Sequence, residues 1–348
     1  VSRSATIATT DTQQHREVWW FALGYFAAYV PYAALTKLLT SGHAPSGTPH
    51  TGAHLLPWSV AASLLTTAIF LIVSGWWRYA HRFGRHGWPR PSRPTMISAL
   101  CASATILTTT LGYSFEGTSV LLTMLFMRGG VLIIAPVVDA LHRRKIQATS
   151  WAALGLSALG VLAATGLATR ADMGTWALVN IAVYLASYFV RLHTMSGHAK
   201  SNDREQTRRF FVEEQLVATP ALLLALGLWA AFGAGTGADA LRDGWTLPGG
   251  LDGLAILAIG VFSQGTGIFG ALVLLHPSEN SFSVPVNRAS SLVAGAVVSA
   301  LLAVLGLATA PSAGELAGAA LVLGAMAVLA FRHEEAKQPV SPGAQPAS

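Results

Sequence analysis

Charge is scarce in this chain. Asp, Glu, Lys and Arg together make up 11% of its 348 residues, against roughly 25% in an ordinary soluble domain, which excludes a conventional water-soluble fold. Cysteine is almost missing. Cys101 stands alone, so an intrachain disulfide is excluded and a thiolate metal site has no second ligand of its kind. Acidic residues are outnumbered 16 to 22, an excess that would suit nucleic acid only if the basic residues formed one patch, and they are scattered. The segment Gly265-Thr-Gly267-Ile-Phe-Gly270 matches a dinucleotide fingerprint letter for letter, yet it lies in an apolar run without a preceding strand or a ribose-binding acid, so no cofactor is expected. His43, His50 and His54 fall in a Gly/Pro-rich stretch that fixes no ligand geometry, so no metal is expected either.

What the chain has in quantity is apolar length. Hydrophobic residues make up 52% and the mean hydropathy is +0.50. About 30 Å of hydrocarbon needs roughly 20 apolar helical residues, and ten such windows are present: 18–39, 55–77, 96–115, 119–141, 151–168, 176–196, 210–232, 251–275, 282–308 and 315–331. The expectation is an all-α integral membrane protein in a lipid bilayer, with no nucleic-acid partner. The first run is about as long as a full span and lacks a small-x-small cleavage site after it, so it is read as a retained span.

Basic residues orient the spans, because short cytoplasmic loops collect Lys and Arg. With the N-terminus inside, the cytoplasmic segments hold Arg3, Arg16, Arg78, Arg82, Arg85, Arg90, Arg93, Arg143, Arg144, Lys145, Lys200, Arg204, Arg208, Arg209, Arg332 and Lys337. The opposite loops hold Arg170 and Arg242. Both termini are therefore expected in the cytoplasm, in a membrane of the bacterial inner (plasma) type. Residues 1–17 and 332–348 are read as cytoplasmic tails, and the polar ends before Glu17 and after Lys337 are expected to be disordered.

The spans repeat. A shift of 160 positions lays Arg128 on Arg288, Leu132 on Leu292 and Val137-Val138 on Val297-Val298; a shift of 156 lays Trp20 on Trp176 and Tyr32 on Tyr188. Five spans per half is an odd number, so the halves, 18–168 and 169–331, must be inverted. Ten spans in two inverted halves, with basic loops after spans two, four and six, resemble the EamA-like carriers of the drug/metabolite transporter superfamily. Within it, Ser281-Phe-Ser-Val-Pro-Val-Asn-Arg288-Ala-Ser-Ser-Leu-Val resembles the ninth span of sugar-phosphate translocators. There a basic pair binds the substrate phosphate, and this chain has Asn287 where the first basic residue would stand.

An Arg at the centre of a span costs about 2.5 to 3.5 kcal/mol on insertion scales, so it persists where it meets a polar cavity or a partner. Arg128 lies deep in the fourth span. Arg288 is followed by Ser291, Gly295 and Ser299, a small and polar stripe expected to face the bundle interior. The available acids, Glu116, Asp139, Glu213 and Glu214, all lie near the ends of spans, which leaves both arginines to an anionic guest. Lys37, Tyr29, Tyr32, Tyr188, Gln264 and Asn287 complete the expected substrate-binding set, with Tyr25 and Tyr184 on the same helix walls. Glu213 and Glu214 are candidates for coupling to protons, although carboxylates also favour a helix N-terminus. Arg191 and His193 are read as snorkelling to an interface, and Asp139 as pairing with Arg143.

The resulting expectation is a non-enzymatic secondary carrier for a small, polar, anionic metabolite, working by alternating access. A drug or lipid-phosphate carrier of the same architecture, or an integral membrane transferase, is the competing reading.

Overall fold

The apolar windows fold as helices almost where hydropathy puts them. The computed structural model describes residues 2–80, 82–83, 88–89, 91–115, 120–141, 148–166, 174–198, 204–275 and 280–337. In chain order its helices are α1 (Ser2–Thr40), α2 (Gly52–Val73), α3 (Arg93–Ser114), α4 (Val120–Leu141), α5 (Ala148–Gly166), α6 (Thr175–His198), α7 (Arg204–Phe232), α8 (Thr236–Gly244), α9 (Gly250–Leu275), α10 (Asn280–Val304) and α11 (Ala313–Lys337). Eight described segments, in α1 to α4, α6, α7, α9 and α10, are long and apolar enough to cross a membrane. The chain is thus an all-α integral membrane protein. The shorter apolar stretch of α11, Ala313–Val328, lies in a helix that packs along α5. Arg85, Arg90, Glu116, Arg143, Arg144, Lys145, Arg170, Lys200 and the tail 338–348 fall outside the described residues, as does the side chain of Asp139 with its expected contact to Arg143.

Four local departures from the expected pattern have physical causes. The polar N-terminal segment is helical, continuing α1 to 39 residues. That is about 58 Å, well beyond the hydrocarbon thickness, so only Val18–Thr40 is apolar enough to span it. Trp76 and Trp77 leave α2 for a 3-10 turn, Trp76–Tyr79, because Gly75 adopts φ 68° and ends the helix. Two short strands follow, Arg82–Phe83 and Trp88–Pro89, paired antiparallel with Arg82 opposite Pro89 and Phe83 opposite Trp88. Leu305 to Ala308 are likewise outside α10. Gly306 at φ 69° closes a Schellman end, in which Leu307 N donates to Leu302 O at 2.8 Å and Gly306 N to Ala303 O at 3.0 Å.

The fourth departure is α8, nine residues too short to register as a hydropathy window. It lays Ala238 and Leu241 inward against α2. Arg242, expected as a loop charge, instead donates to the Ala230 carbonyl at 2.7 Å and to that of Gly233 at 2.5 Å, satisfying the open carbonyls at the end of α7.

Helix pairing sets up the interior. α1 packs along α9 and α10, while α6 packs along α3 and α4. α2 packs against α9, and α7 against α3. α4 and α10 meet at the centre, and α4 is the most enclosed of the spans. The expected small stripe on α10 faces α4: Ser291 and Ser299 are buried, Ser299 Oγ accepts from Leu121 N at 3.2 Å, and Gly295 sits beneath Met124.

Small residues let the helices approach this closely. A Cβ at Gly260 on α9 would collide with the Ser59 carbonyl oxygen on α2, backbone that cannot step aside. Gly260→Ala should therefore destabilise by about 1 to 3 kcal/mol through overpacking, read as a lower melting temperature in detergent. Unchanged melting would show that α2 and α9 are not held in this contact.

Candidate functional site

Seven helices, α1, α3, α4, α6, α7, α9 and α10, contribute side chains to one cavity of about 110 Å³. Arg128 from α4 and Arg288 from α10 both line it, and both are nearly inaccessible, at 4% and 3% exposure. Each is held by tyrosine. Arg128 donates to the hydroxyls of Tyr184 and Tyr29, and its guanidinium carbon lies 5.4 Å from each ring centre. Arg288 donates to the Tyr188 hydroxyl, sits 4.6 Å from that ring centre, and reaches the Tyr184 hydroxyl at 3.5 Å.

Tyr184 Oη thus accepts from both arginines. Two cations within 3.5 Å of one oxygen stand no more than about 7 Å apart, where an effective dielectric of about 20 gives a repulsion of roughly 2 kcal/mol. Neutral hydroxyls and ring faces reduce that cost without cancelling the charge. None of the described cavity-lining residues is Asp or Glu. Three buried polar atoms in this wall have no hydrogen-bond partner among the described residues: Arg128 Nε, Arg288 Nε and Asn287 Oδ1. Leaving such groups unmet is costly, and all three belong to residues that line the cavity.

The cavity is closed at the C-terminal end of α3. The Tyr29 and Tyr113 hydroxyls share a hydrogen bond at 2.6 Å, and Tyr32 Oη meets Thr110 Oγ1 at 2.9 Å. Tyr25, Tyr29, Tyr32 and Tyr113 form one aromatic cluster, with neighbouring ring centres 5.2 to 6.4 Å apart. At the opposite end the cavity reaches Arg191, Leu274 and Asn287.

The expected binding residues divide clearly. Arg128, Arg288, Tyr29, Tyr32, Tyr188, Gln264 and Asn287 all line this cavity. Gln264 Nε2 donates to Gln215 Oε1 at 2.9 Å, and Asn287 Nδ2 to the Gly270 carbonyl at 3.4 Å. Lys37 is elsewhere: its Nζ donates to the Phe115 carbonyl at 3.3 Å, where α1 meets the end of α3. Glu213 and Glu214 are buried behind the cavity. Glu213 Oε1 pairs with Arg209 Nε at 2.9 Å, and its Oε2 accepts from Thr95 Oγ1 at 3.5 Å.

Arg191 corrects the snorkelling expectation. It turns inward to line the cavity and grips Glu214 with two hydrogen bonds, Nε to Oε1 at 2.9 Å and Nη2 to Oε2 at 2.7 Å. Its partner lies on another helix, 23 positions on, so no helical spacing announces the pair. Tyr25 and Gln215 also line the cavity. Tyr25 shares the face of Tyr29 and Tyr32 by its i+4 and i+7 spacing, a signal present in the sequence.

Comparison with known proteins defines the class by fold. No family model and no curated protein matches the chain. Among the solved structures that match the chain, a crystal structure superposes with a TM-score of 0.56 over 91% of this chain and 99% of its own, at 15% identity. At that identity the likeness is one of fold, which here is that of an all-α, multi-spanning membrane protein.

Proposed function

We propose that the chain is a secondary carrier of small anions, of the drug/metabolite transporter type, with two inverted halves that alternate access to the central cavity. The observation that carries this reading is the meeting of Arg128 and Arg288, buried and without carboxylate partners among the described residues, over one cavity. A lining of guanidinium, hydroxyl and amide groups is suited to holding a guest, and its positive charge disfavours a cationic drug. The role is transport, not catalysis.

The inverted arrangement draws support from paired packing. Under the repeat, α1, α2, α3, α4 and α5 correspond to α6, α7, α9, α10 and α11. The α1–α9, α2–α9 and α1–α10 contacts then have counterparts in α6–α3, α7–α3 and α6–α4. Side chains follow the same relation. Ser63 on α2 donates to Gly260 O on α9 at 2.8 Å, and Ser103 on α3 donates to Ala218 O on α7 at 2.6 Å. Position 63 shifted by 155 is 218, and position 103 shifted by 157 is 260, so one link recurs with donor and acceptor exchanged. A Cβ at Gly24 on α1 would meet Phe269 of α9 at 2.6 Å; its counterpart is Asn180 of α6, which would meet a Cβ at Gly112 of α3 at 3.3 Å.

One contact breaks the symmetry. α1 and α3 pack together at the closed end, whereas α6 and α9 make at most a glancing contact among the described residues. This fits a carrier closed on the α1–α3 side. With the N-terminus in the cytoplasm, that side is the external one.

The test is a melting-temperature screen of the purified protein against inorganic phosphate, acetate, succinate and tetraphenylphosphonium, followed by uptake into liposomes. A ligand at 100 times its Kd should stabilise by about 2.7 kcal/mol. Stabilisation and uptake of an anion are expected. A response to tetraphenylphosphonium alone, or to none of the four, would overturn the reading. Binding of phosphate without uptake into the lumen would favour the lipid-phosphate alternative.

A further inference from the structure

Among the described residues, Arg191 is the cavity arginine paired with a carboxylate. The pair is lopsided. Arg191 is 14% exposed and opens into the cavity, while Glu214 is 2% exposed behind it. Arg191 also stands one helical turn from Tyr188, the residue that holds Arg288, so a guest bound to Arg288 meets Arg191 along the same wall. Glu214 occupies Arg191 as a tethered carboxylate would, in the two-pronged geometry that a free carboxylate or phosphate prefers.

We infer that the Arg191–Glu214 pair is a guest-operated switch: an anion in the cavity takes Arg191 from Glu214, and the released carboxylate takes up a proton supplied by the solution on the side from which the anion entered, so that anion and proton cross together. The inference rests on the anion-carrier reading above. Its physical basis is the cost of stranding a charge. A buried carboxylate that loses its arginine is destabilised by several kcal/mol, and it escapes that cost by becoming neutral.

The surroundings of Glu214 accept both forms. Ser98 Oγ on α3 lies 2.5 Å from Glu214 Oε1, and a hydroxyl can donate to a carboxylate or turn to accept from a carboxylic acid. The neighbouring Glu213 keeps its own cation, Arg209, whose side chain is 42% exposed and so stays in reach of water. Cys101 on α3 lies in the field of both Arg191 and Glu214, and Tyr184 and Tyr188 in that of Arg191. Before the guest arrives the pair is neutral and the cavity carries the charges of Arg128 and Arg288. Afterwards three guanidinium groups face the guest and Glu214 is neutral, which suits a dianion better than a monoanion. Because proton uptake accompanies anion binding, the two move in the same direction.

Two measurements decide this, one of them without any ligand. Arg191→Gln mimics the state in which the guest has taken the arginine. Infrared difference spectra near neutral pH should show a protonated carboxyl in Arg191→Gln that is missing from the wild type and from the Arg191→Gln, Glu214→Gln double variant. An ionised Glu214 in Arg191→Gln overturns the switch, whatever the anions do.

The second measurement is calorimetric titration with phosphate, acetate and succinate in two buffers of different ionisation enthalpy, comparing wild type with Glu214→Gln so that the ligand's own ionisation cancels. The wild type should take up about one more proton per anion than Glu214→Gln. Removing the tethered competitor should also tighten anion binding in Glu214→Gln by roughly tenfold, whereas loss of a merely structural carboxylate would weaken it. Equal proton counts overturn the switch and leave the carrier reading standing. Failure of all three anions to bind the wild type overturns both.

Discussion

Arg128→Gln or Arg288→Gln should each weaken anion binding by at least about tenfold while leaving the helices assembled. Each arginine offers the guest a charge-assisted hydrogen bond worth roughly 1.5 to 3 kcal/mol, and 1.4 kcal/mol is tenfold in Kd. The fold should survive because neither charge is neutralised by a described carboxylate in the cavity wall; what is lost is a contact to tyrosine hydroxyls. Removing one cation also relieves the mutual repulsion of the pair, so melting temperatures of the guest-free variants should hold or rise. Affinity and intrinsic stability are thus expected to move in opposite directions, a signature that simple misfolding does not produce. Lysine substitutions keep the charge and lose the planar fork, and should fall between Gln and Arg. Titration of the purified variants with succinate and phosphate reads the affinity, and melting in the absence of anion reads the stability. Near wild-type affinity in both Gln variants would remove these residues from the site.

The two arginines could be found from sequence because membrane burial makes them expensive. A guanidinium in the middle of an apolar run demands a reason, and equal placement in Arg128 and Arg288 at a 160-residue shift supplied a shared one. Helix positions were legible on the same ground, since hydropathy over 20 residues measures a physical length. Backbone irregularities of one to nine residues were not. Gly75 and Gly306 end helices through positive φ, and α8 packs as an amphipathic turn of chain outside the apolar windows. The Arg191–Glu214 pair was hidden for a different reason. Near the end of a span an arginine has a cheap escape to water, and only the packing of α6 and α7 onto α3 brings Glu214, Ser98 and Arg191 together. Lys37 shows the converse: a basic residue in an apolar run, it meets a helix-end carbonyl at Phe115 and stays away from the cavity.

That position of Lys37 gives the strongest expected effect on transport itself. α1 and α3 close one end of the cavity through Tyr29 with Tyr113, Tyr32 with Thr110, and Lys37 with the Phe115 carbonyl. If access alternates, those contacts must part while the facing ends of α6 and α9 come together, because under the proposed reading two inverted halves would exchange conformations around the cavity. Cysteines replacing Lys37 and Phe115 in a Cys101→Ser background can be joined by a short bis-methanethiosulfonate linker, which forms a disulfide with each thiol by displacing methanesulfinate and is cleaved by a reductant, since the native side chain of one already reaches the backbone of the other within 3.3 Å. Joining them should cut liposome uptake of the transported anion to the level of empty vesicles, and cleaving the linker should restore it. Binding measured by titration from the open side should persist in the linked protein, because Arg128, Arg288 and their tyrosines lie deeper than the joined residues. Loss of transport with retained binding is the expected pair of results. Undiminished uptake by the linked protein would show that α1 and α3 do not separate during the cycle, and would overturn alternating access across this contact.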